Sequence, residues 1–306
     1  MNEYSRKIIN IGSINWDDVW TVPGIARPGE TISATSRTRF FGGKGLNQSV
    51  AAARAGATVI HIGQVGLDAR PILDFMESEG IDTSLIRIHP DEPTGLALIQ
   101  VDAQGENAII IHKGANGLLS PPSEQWLAGL DLPESCCALL QNETPHVGEW
   151  IQFLAGKGFR IIWNPAPVPS TFGDETLRLV HTLVVNHLEA SGMTGIPAPV
   201  EAAYHLASEF RIPNVILTQG PEDVVHLQWD QDSVSKTNFP VPETKAVDTT
   251  AAGDTFTGYY AASLAKGMEI QPAIRTAIQA AAISITRPGA AASIPRLSEL
   301  NSSAHQ

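Results

Sequence analysis

Beyond Ser120 the chain alternates short apolar runs with helical patterns, and few folds suit a chain patterned that way. The runs predict strands over residues 138–141, 159–163, 182–185 and 214–218, with helices over 147–157, 176–181 and 200–210 between them. Parallel strands need a long crossover, which a helix supplies, and helices then cover both faces of the sheet. The pattern implies an α/β fold, a three-layer α/β/α arrangement around a mostly parallel sheet. The N-terminal part fits the same layers. An Ile-rich strand is expected over 7–14, then an Ala-rich helix after Gly42 and Gly43 that stops at Gly56. A buried strand over 57–63 and a helix over 67–80, with Pro71 in its first turn, follow.

Two stretches break the alternation. Between Thr94 and His112 the runs TGLALIQV and NAIIIH flank a turn of Asp102, Ala103, Gln104 and Gly105, which reads as a hairpin. Residues 17–40 lack a helical period and are punctuated by Pro23, Pro28 and Gly29. These stretches are expected to pair as a small accessory β-sheet, a lid of about residues 16–40 and 94–113 within one domain of 1–306. A late hairpin, 223–229 with 235–241, precedes two Ala-rich helices over 253–266 and 271–286.

Composition narrows the partners. The formal net charge of −12 argues against a nucleic-acid surface, which needs clustered Lys and Arg. No window approaches a membrane-spanning apolar run, and the N-terminal residues lack a signal-peptide pattern. Cys136 and Cys137, the chain's 2 cysteines, are adjacent, a poor disulfide or metal arrangement, with at least one expected to be buried. A reducing, cytoplasmic setting follows as an expectation. The 9 histidines show no metal-ligand spacing; His61 and His112 read as packed or exposed, and Trp16 as packing.

The chemistry concentrates in DTTAAGDTFTGYY, residues 248–260. It places Asp254 directly after Ala251, Ala252 and Gly253, where a helical pattern begins. Free N–H groups and the dipole of a helix start favour an anion, and small residues let one approach. A carboxylate beside an anion site suits a base that deprotonates a hydroxyl next to a transferring phosphoryl group. Polar clusters also follow several predicted strands: Asn15 and Asp17, Asn142 and Glu143, Asn164, Asn186 and Glu189, Thr218 and Gly220. Each alone is ordinary turn chemistry, but their recurrence points to a site along the carboxyl edge of the sheet. FGGKGLNQS, residues 41–49, fails both the Walker spacing and the dinucleotide glycine pattern. Its glycines allow close backbone approach to a ligand, with Lys44 and Asn47 as donors at a helix start.

Those two regions together resemble the signature regions of the ribokinase-like (PfkB) carbohydrate kinases. GSINWD, GENAIIIHKGAN, NETP, NPAP, NHLE and TRPGAAASIP extend the resemblance over nearly the whole chain. It implies an ATP-dependent sugar kinase, with D-ribose phosphorylated at O5 as the best single substrate. Asp254 would be the general base and the N–H groups of Ala251, Ala252 and Gly253 an anion hole. Asn15, Asp17, Gly43, Lys44, Asn47 and Glu143 match sugar-binding positions. Asn186, Thr218, Gly220, Gly253 and Ile278 match the nucleotide track, although Asp223 stands where a second glycine usually follows Gly220. Glu189 matches a position linked to Mg²⁺, as an outer-shell group. Asp248, Thr250, Ser284, Arg287, Gly289 and Ser293 match a loop for a monovalent cation, with K⁺ as the implied activator. The family also implies pairing of lids in a homodimer. A kinase for a nucleoside or another sugar (fructose, a keto-deoxy sugar acid) is the alternative within the class. A non-catalytic sugar or nucleotide sensor on the same fold is the alternative outside it.

Overall fold

The structure, a computed structural model, describes residues 7–127, 136–169 and 171–303; residues 1–6 of the N-terminal stretch read above lie outside them. In the first half the strands are β1 (Lys7–Ile11), β2 (Asn15–Thr21), β3 (Ser36–Gly42), β4 (Thr58–Gly66), β5 (Ile86–His89), β6 (Gly95–Val101) and β7 (Asn107–His112). The helices among them are α1 (Lys44–Arg54) and α2 (Arg70–Ser78), and the short α3 (Glu124–Leu127) follows β7. The second half runs β8 (Cys137–Leu140), α4 (Val147–Gly156), β9 (Arg160–Trp163), α5 (Asp174–Arg178), β10 (Thr182–Asn186), α6 (His187–Thr194) and α7 (Pro199–Glu209). It ends with β11 (Asn214–Gln219), β12 (Glu222–Asp230), β13 (Ser233–Phe239), α8 (Ala252–Ala265), α9 (Ile270–Ser284) and α10 (Leu297–Ser303).

The large sheet has the order β13-β12-β11-β10-β9-β8-β1-β4-β5. It is parallel from β11 through β5, and the β12–β13 hairpin adds an antiparallel edge. Successive strand residues go to opposite faces, as the two-residue strand period requires. Ile8, Val184 and Ile216 join the core under α1, α8 and α9, while Ile9, Leu183, Val185, Val215 and Leu217 join the core under α4 and α7. The second sheet, β3-β2-β6-β7, is the accessory sheet expected from the sequence. Its β2–β6 pair is parallel; its other pairs are antiparallel.

Several boundaries differ from the sequence expectation. The first strand stops at Ile11, because Gly12 and Ser13 turn the chain into β2, and Ile14 is buried beyond the strand. β4 runs on to Gly66 and carries β5, four residues of half-exposed pattern that no apolar run announces. Both cysteines are buried thiols, in line with the expectation of at least one.

α1 and α8 cross closely at one glycine. A Cβ at Gly258 would lie 2.5 Å from Ala51 Cβ and 2.6 Å from the Gln48 carbonyl oxygen. These are backbone and stiff side-chain atoms, so the helices must separate to admit it. Gly258→Ala is therefore expected to destabilise by about 1–3 kcal/mol through overpacking. A urea midpoint indistinguishable from wild type would refute this.

Candidate active site

The first wall of the site is β2. Strand alternation sends Asn15 and Asp17 to one face and Trp16 and Asp18 to the other. Asp18 is taken up there by Arg39, at 2.6 Å, and Arg37. Trp16 lies on that same face, its indole N–H donating to Asp68 at 3.1 Å and its ring 5.4 Å from that of Phe41. Trp16 is thus packing, as expected. Asp17 is buried facing Glu143, Asp254 and Lys44. Burial first, then the like charges of Glu143 and Asp254, push its carboxyl up to about 7, with Lys44 opposing. Asn15 is held by Asn116, whose amide N–H reaches Asn15 Oδ1 at 2.8 Å. Asn116 also bonds both main-chain groups of Ile14, at 2.9 and 3.0 Å. It lies within the GAN run of the sequence but was not singled out there.

The second wall is the start of α1. Gly43 adopts φ 93°, a left-handed conformation that favours glycine, and turns the chain from β3 into the helix. The Lys44 N–H donates to Glu143 Oε2 at 3.0 Å, and Ser13 donates to the same oxygen. A side chain at Gly45 would strike Gly12 and Ser13, so these glycines let α1 lie against the β1–β2 turn. The Lys44 ammonium is raised above its ordinary range, first by Asp254, with burial opposing and Glu143, Glu189 and Asp17 adding. It stays charged among four carboxylates.

Asp254 occupies the first turn of α8 and is 6% exposed. Its Oδ2 accepts from Asn47 Nδ2 at 3.1 Å and its Oδ1 from Gln48 Nε2 at 2.9 Å. Asn47 Oδ1 is buried and unpaired, so a sugar hydroxyl beside the carboxylate would find an acceptor there. Ala251 precedes the helix at φ 59°, and Gly253 is exposed, with no atom within 4 Å of where a Cβ would stand. The helix start therefore opens onto free space beside the Asp254 carboxylate. One expected donor is partly engaged: the Ala252 N–H reaches Thr249 O at 3.2 Å.

Asn186 and Glu189 form a reciprocal capping box at the start of α6. Glu189 N donates to Asn186 Oδ1 at 2.8 Å, while Asn186 N and Nδ2 donate to the two Glu189 oxygens, each at 2.9 Å. Burial raises the Glu189 carboxyl against these bonds and Lys44. A carboxylate so occupied fits Mg²⁺ through water and not by direct ligation. Among the described residues no group of three or more His, Cys, Asp or Glu side chains could hold a metal ion. Such an ion would arrive with the nucleotide phosphates.

Thr218 is the penultimate residue of β11, and Gly220, at φ 65°, makes the tight turn into β12. Asp223 lies within β12, and its carbonyl oxygen accepts Gln219 Nε2 at 2.9 Å, so this turn closes without a second glycine. Ile278 is packed into the α8–α9 core at 5% exposure, leaving little side chain for an adenine ring. Asp248 ties two loops together through Thr250 N at 2.9 Å and Gly289 N at 2.8 Å. Burial resists, but these hydrogen bonds hold its carboxyl below the ordinary range. Ser284 and Ser293 bond the Ala281 and Ala290 carbonyls at 2.8 and 2.9 Å, and Arg287 pairs with Glu299. These side chains are committed, so a monovalent cation here would be met by main-chain carbonyls.

A buried carboxylate at a helix start, free space beside it and a wall of carboxylate and amide side chains are the parts that a kinase of small alcohols needs. The chain matches the pfkB family carbohydrate kinase over residues 5–297 and belongs to that family. It is a phosphotransferase with an alcohol group as acceptor. Ribokinase of Haemophilus influenzae is 38% identical over 307 residues, covering 96% of this chain and 97% of that protein. The solved ribokinase of Thermotoga maritima superposes with a TM-score of 0.86 at 34% identity, covering 98% and 99% of the two chains. The ribokinase of Arabidopsis thaliana, solved with ribose and ATP, gives a TM-score of 0.86 at 26% identity, covering 97% and 98%.

Proposed function

We propose that the protein is an ATP-dependent kinase that phosphorylates D-ribose at O5. The observation that carries this reading is Asp254, fixed by two amides at the open start of α8 and facing Asp17, Lys44 and Glu143. Asn15, Asp17, Glu143 and Asn47 present acceptors to sugar hydroxyls, while Lys44 and Gly43 line the same wall. Asp254 takes the O5 proton as O5 attacks the γ-phosphorus. A new O5–P bond forms, the bond from phosphorus to the bridging oxygen of ADP breaks, and ADP leaves with that oxygen. The free N–H groups at the start of α8 stabilise charge on the transferring group, so catalysis is largely positioning and electrostatics. Glu189 and Asn186 are the residues that would meet the waters of a nucleotide-bound Mg²⁺, which would neutralise charge on the phosphates. The nucleotide runs past Thr218 and Gly220, and the loop of Asp248 and Gly289 would hold an activating K⁺. Trp16, which would have offered an apolar slot to a nucleobase, lies on the opposite face of β2; this favours a simple sugar over a nucleoside.

The test is sugar-dependent ADP release across pentoses, hexoses and nucleosides, with Mg²⁺ and with and without K⁺. Ribose is expected to give the highest kcat/KM; no ribose-dependent release would end the substrate assignment.

Asp17 makes the reaction pH-dependent. Sugar hydroxyls can donate to its carboxylate but not in the same way to its protonated form. A buried Asp raised to about 7 is neutral below that value and charged above it, so kcat/KM for sugar is expected to rise through about pH 7 to a plateau. The same shift means the fold loses stability as pH climbs from the ordinary carboxylate range toward 7. Asp17→Asn should lower kcat/KM and remove this acidic limb; a limb that persists in the variant would assign it elsewhere.

The proposal includes a homodimer through the lid. β7 is the outer strand of the small sheet, with Ile109, Ile110 and Ile111 exposed at 53%, 64% and 51%. An apolar free edge of this kind needs a cover. A monomer in light scattering at micromolar concentration would contradict it. Two free thiols at Cys136 and Cys137 suit a reducing, cytoplasmic compartment. Among the described residues no helix is long and apolar enough to cross a membrane.

A further inference from the structure

Behind Asp254 a chain of buried amides runs from its carboxylate into the core. Gln48, fully buried on α1, donates through Nε2 to Asp254 Oδ1 at 2.9 Å and to Asn164 Oδ1 at 3.2 Å. Its Oε1 accepts from Gln141 Nε2 at 2.7 Å. The other Gln141 bond runs from Nε2 to Asn10 Oδ1 at 3.0 Å. Asn10 Nδ2 then donates to Ser49 Oγ at 2.7 Å and to the Gly45 carbonyl at 2.7 Å. Ser49 Oγ meets His61 Nδ1 at 2.8 Å, and His61 Nε2 meets the Gly12 carbonyl at 3.2 Å.

The directions in this chain are forced. A main-chain carbonyl only accepts, so His61 carries its proton on Nε2 and accepts at Nδ1. Full burial pushes the imidazole down to about 4, which keeps it neutral and holds that tautomer. Ser49 must then donate to His61 and accept from Asn10. Asn10 must turn its oxygen to Gln141, and Gln141 must offer N–H to Gln48. Gln48 is left with its own N–H groups pointing at Asp254 and Asn164. Flipping the Gln48 amide would set an oxygen against the Asp254 carboxylate and an NH₂ against the Gln141 NH₂. Desolvated contacts of like polarity of that kind are expensive.

We propose that Gln48 is a positioning residue, oriented by Gln141, Asn164 and the Asn10–Ser49–His61 chain, that holds the Asp254 carboxylate in its reactive rotation. Asn47 supplies the other hold on that carboxylate, but no further partner orients its amide, since its Oδ1 is unpaired. Gln48 is therefore the fixed hold and Asn47 the adjustable one. The inference rests on Asp254 as the base.

The test is Gln48→Met, which keeps the side-chain length and removes both donors, with Gln48→Glu beside it as a near-isostere should the first fail to fold. Two readouts are taken on each. The crystal structure reports the Asp254 rotation without reference to any substrate. Steady-state kinetics with the best substrate of wild type report kcat and KM separately. The expected result is a carboxylate turned away from its wild-type position and kcat lower by about 10²-fold, the scale of a misplaced reacting group, with the KM values close to wild type. An unmoved carboxylate overturns the proposal whatever the kinetics, and so does a moved carboxylate with kcat within about threefold of wild type. Failure of the ribose assignment shows in wild type alone and leaves the structural readout standing.

Discussion

Replacing Asp254 by Asn is expected to lower kcat by about 10²–10⁴-fold, the range general-base catalysis contributes, while sugar still binds. The amide has the shape of the carboxylate but takes no proton from O5. Its fit follows from the polarity of its neighbours. Gln48 presents N–H and is locked by Gln141, so the new side chain must set its oxygen there. Its NH₂ then faces Asn47, which can turn its unpaired oxygen to meet it. The site stays intact and loses its base. Steady-state turnover and calorimetric sugar binding separate the two effects. Turnover equal to wild type would remove Asp254 from the mechanism.

Gly42→Ala is expected to raise the KM for sugar by about 10²-fold, with the KM for ATP little changed. Gly42 ends β3 directly opposite Asn15, and a Cβ there would fall on the Asp17 carboxylate, with all three of its carboxyl atoms at 2.5 Å or less. Asp17 cannot retreat, since Glu143 and Asp254 already stand on its inner side. Either the carboxylate leaves the sugar or β2 and β3 separate. Initial-rate kinetics with each substrate varied in turn decide this, and an unchanged sugar KM would show that Asp17 does not hold the sugar. The contrast with Gly258→Ala is useful. That change strains the α1–α8 contact and is read as stability, whereas Gly42→Ala is read as affinity.

Much of this was legible in the residues and some could not be. The lid was visible because residues 17–40 lack a helical period and are punctuated by Pro and Gly, while the runs of β6 and β7 flank a turn, which is local information. β5 was missed because IRIH is short and half-exposed, so no period identifies it. α6 was missed although its signal was present. Asn186-x-x-Glu189 is a capping-box pattern, and it was read for metal and phosphate chemistry without its more immediate meaning as a helix start. The strand over 7–14 was drawn too long because Ile14 is as buried as the strand residues, although it packs at the turn into the lid. The amide chain behind Asp254 lies beyond any reading of spacing. Gln48 and Asp254 are 206 residues apart, Gln48 and Gln141 93 apart, and nothing local tells an amide that pairs there from one on a helix surface.

The base, the acceptor hydroxyl and the sugar meet in one product. ³¹P NMR of the ester formed from ATP and D-ribose identifies the oxygen that attacked. Phosphorus on O5 couples to the two C5 protons and gives a triplet, the predicted signal, absent when the Asp254→Asn variant is used. A doublet from an ester at the anomeric carbon, or a triplet of undiminished rate from the variant, would contradict a mechanism in which Asp254 deprotonates the primary hydroxyl.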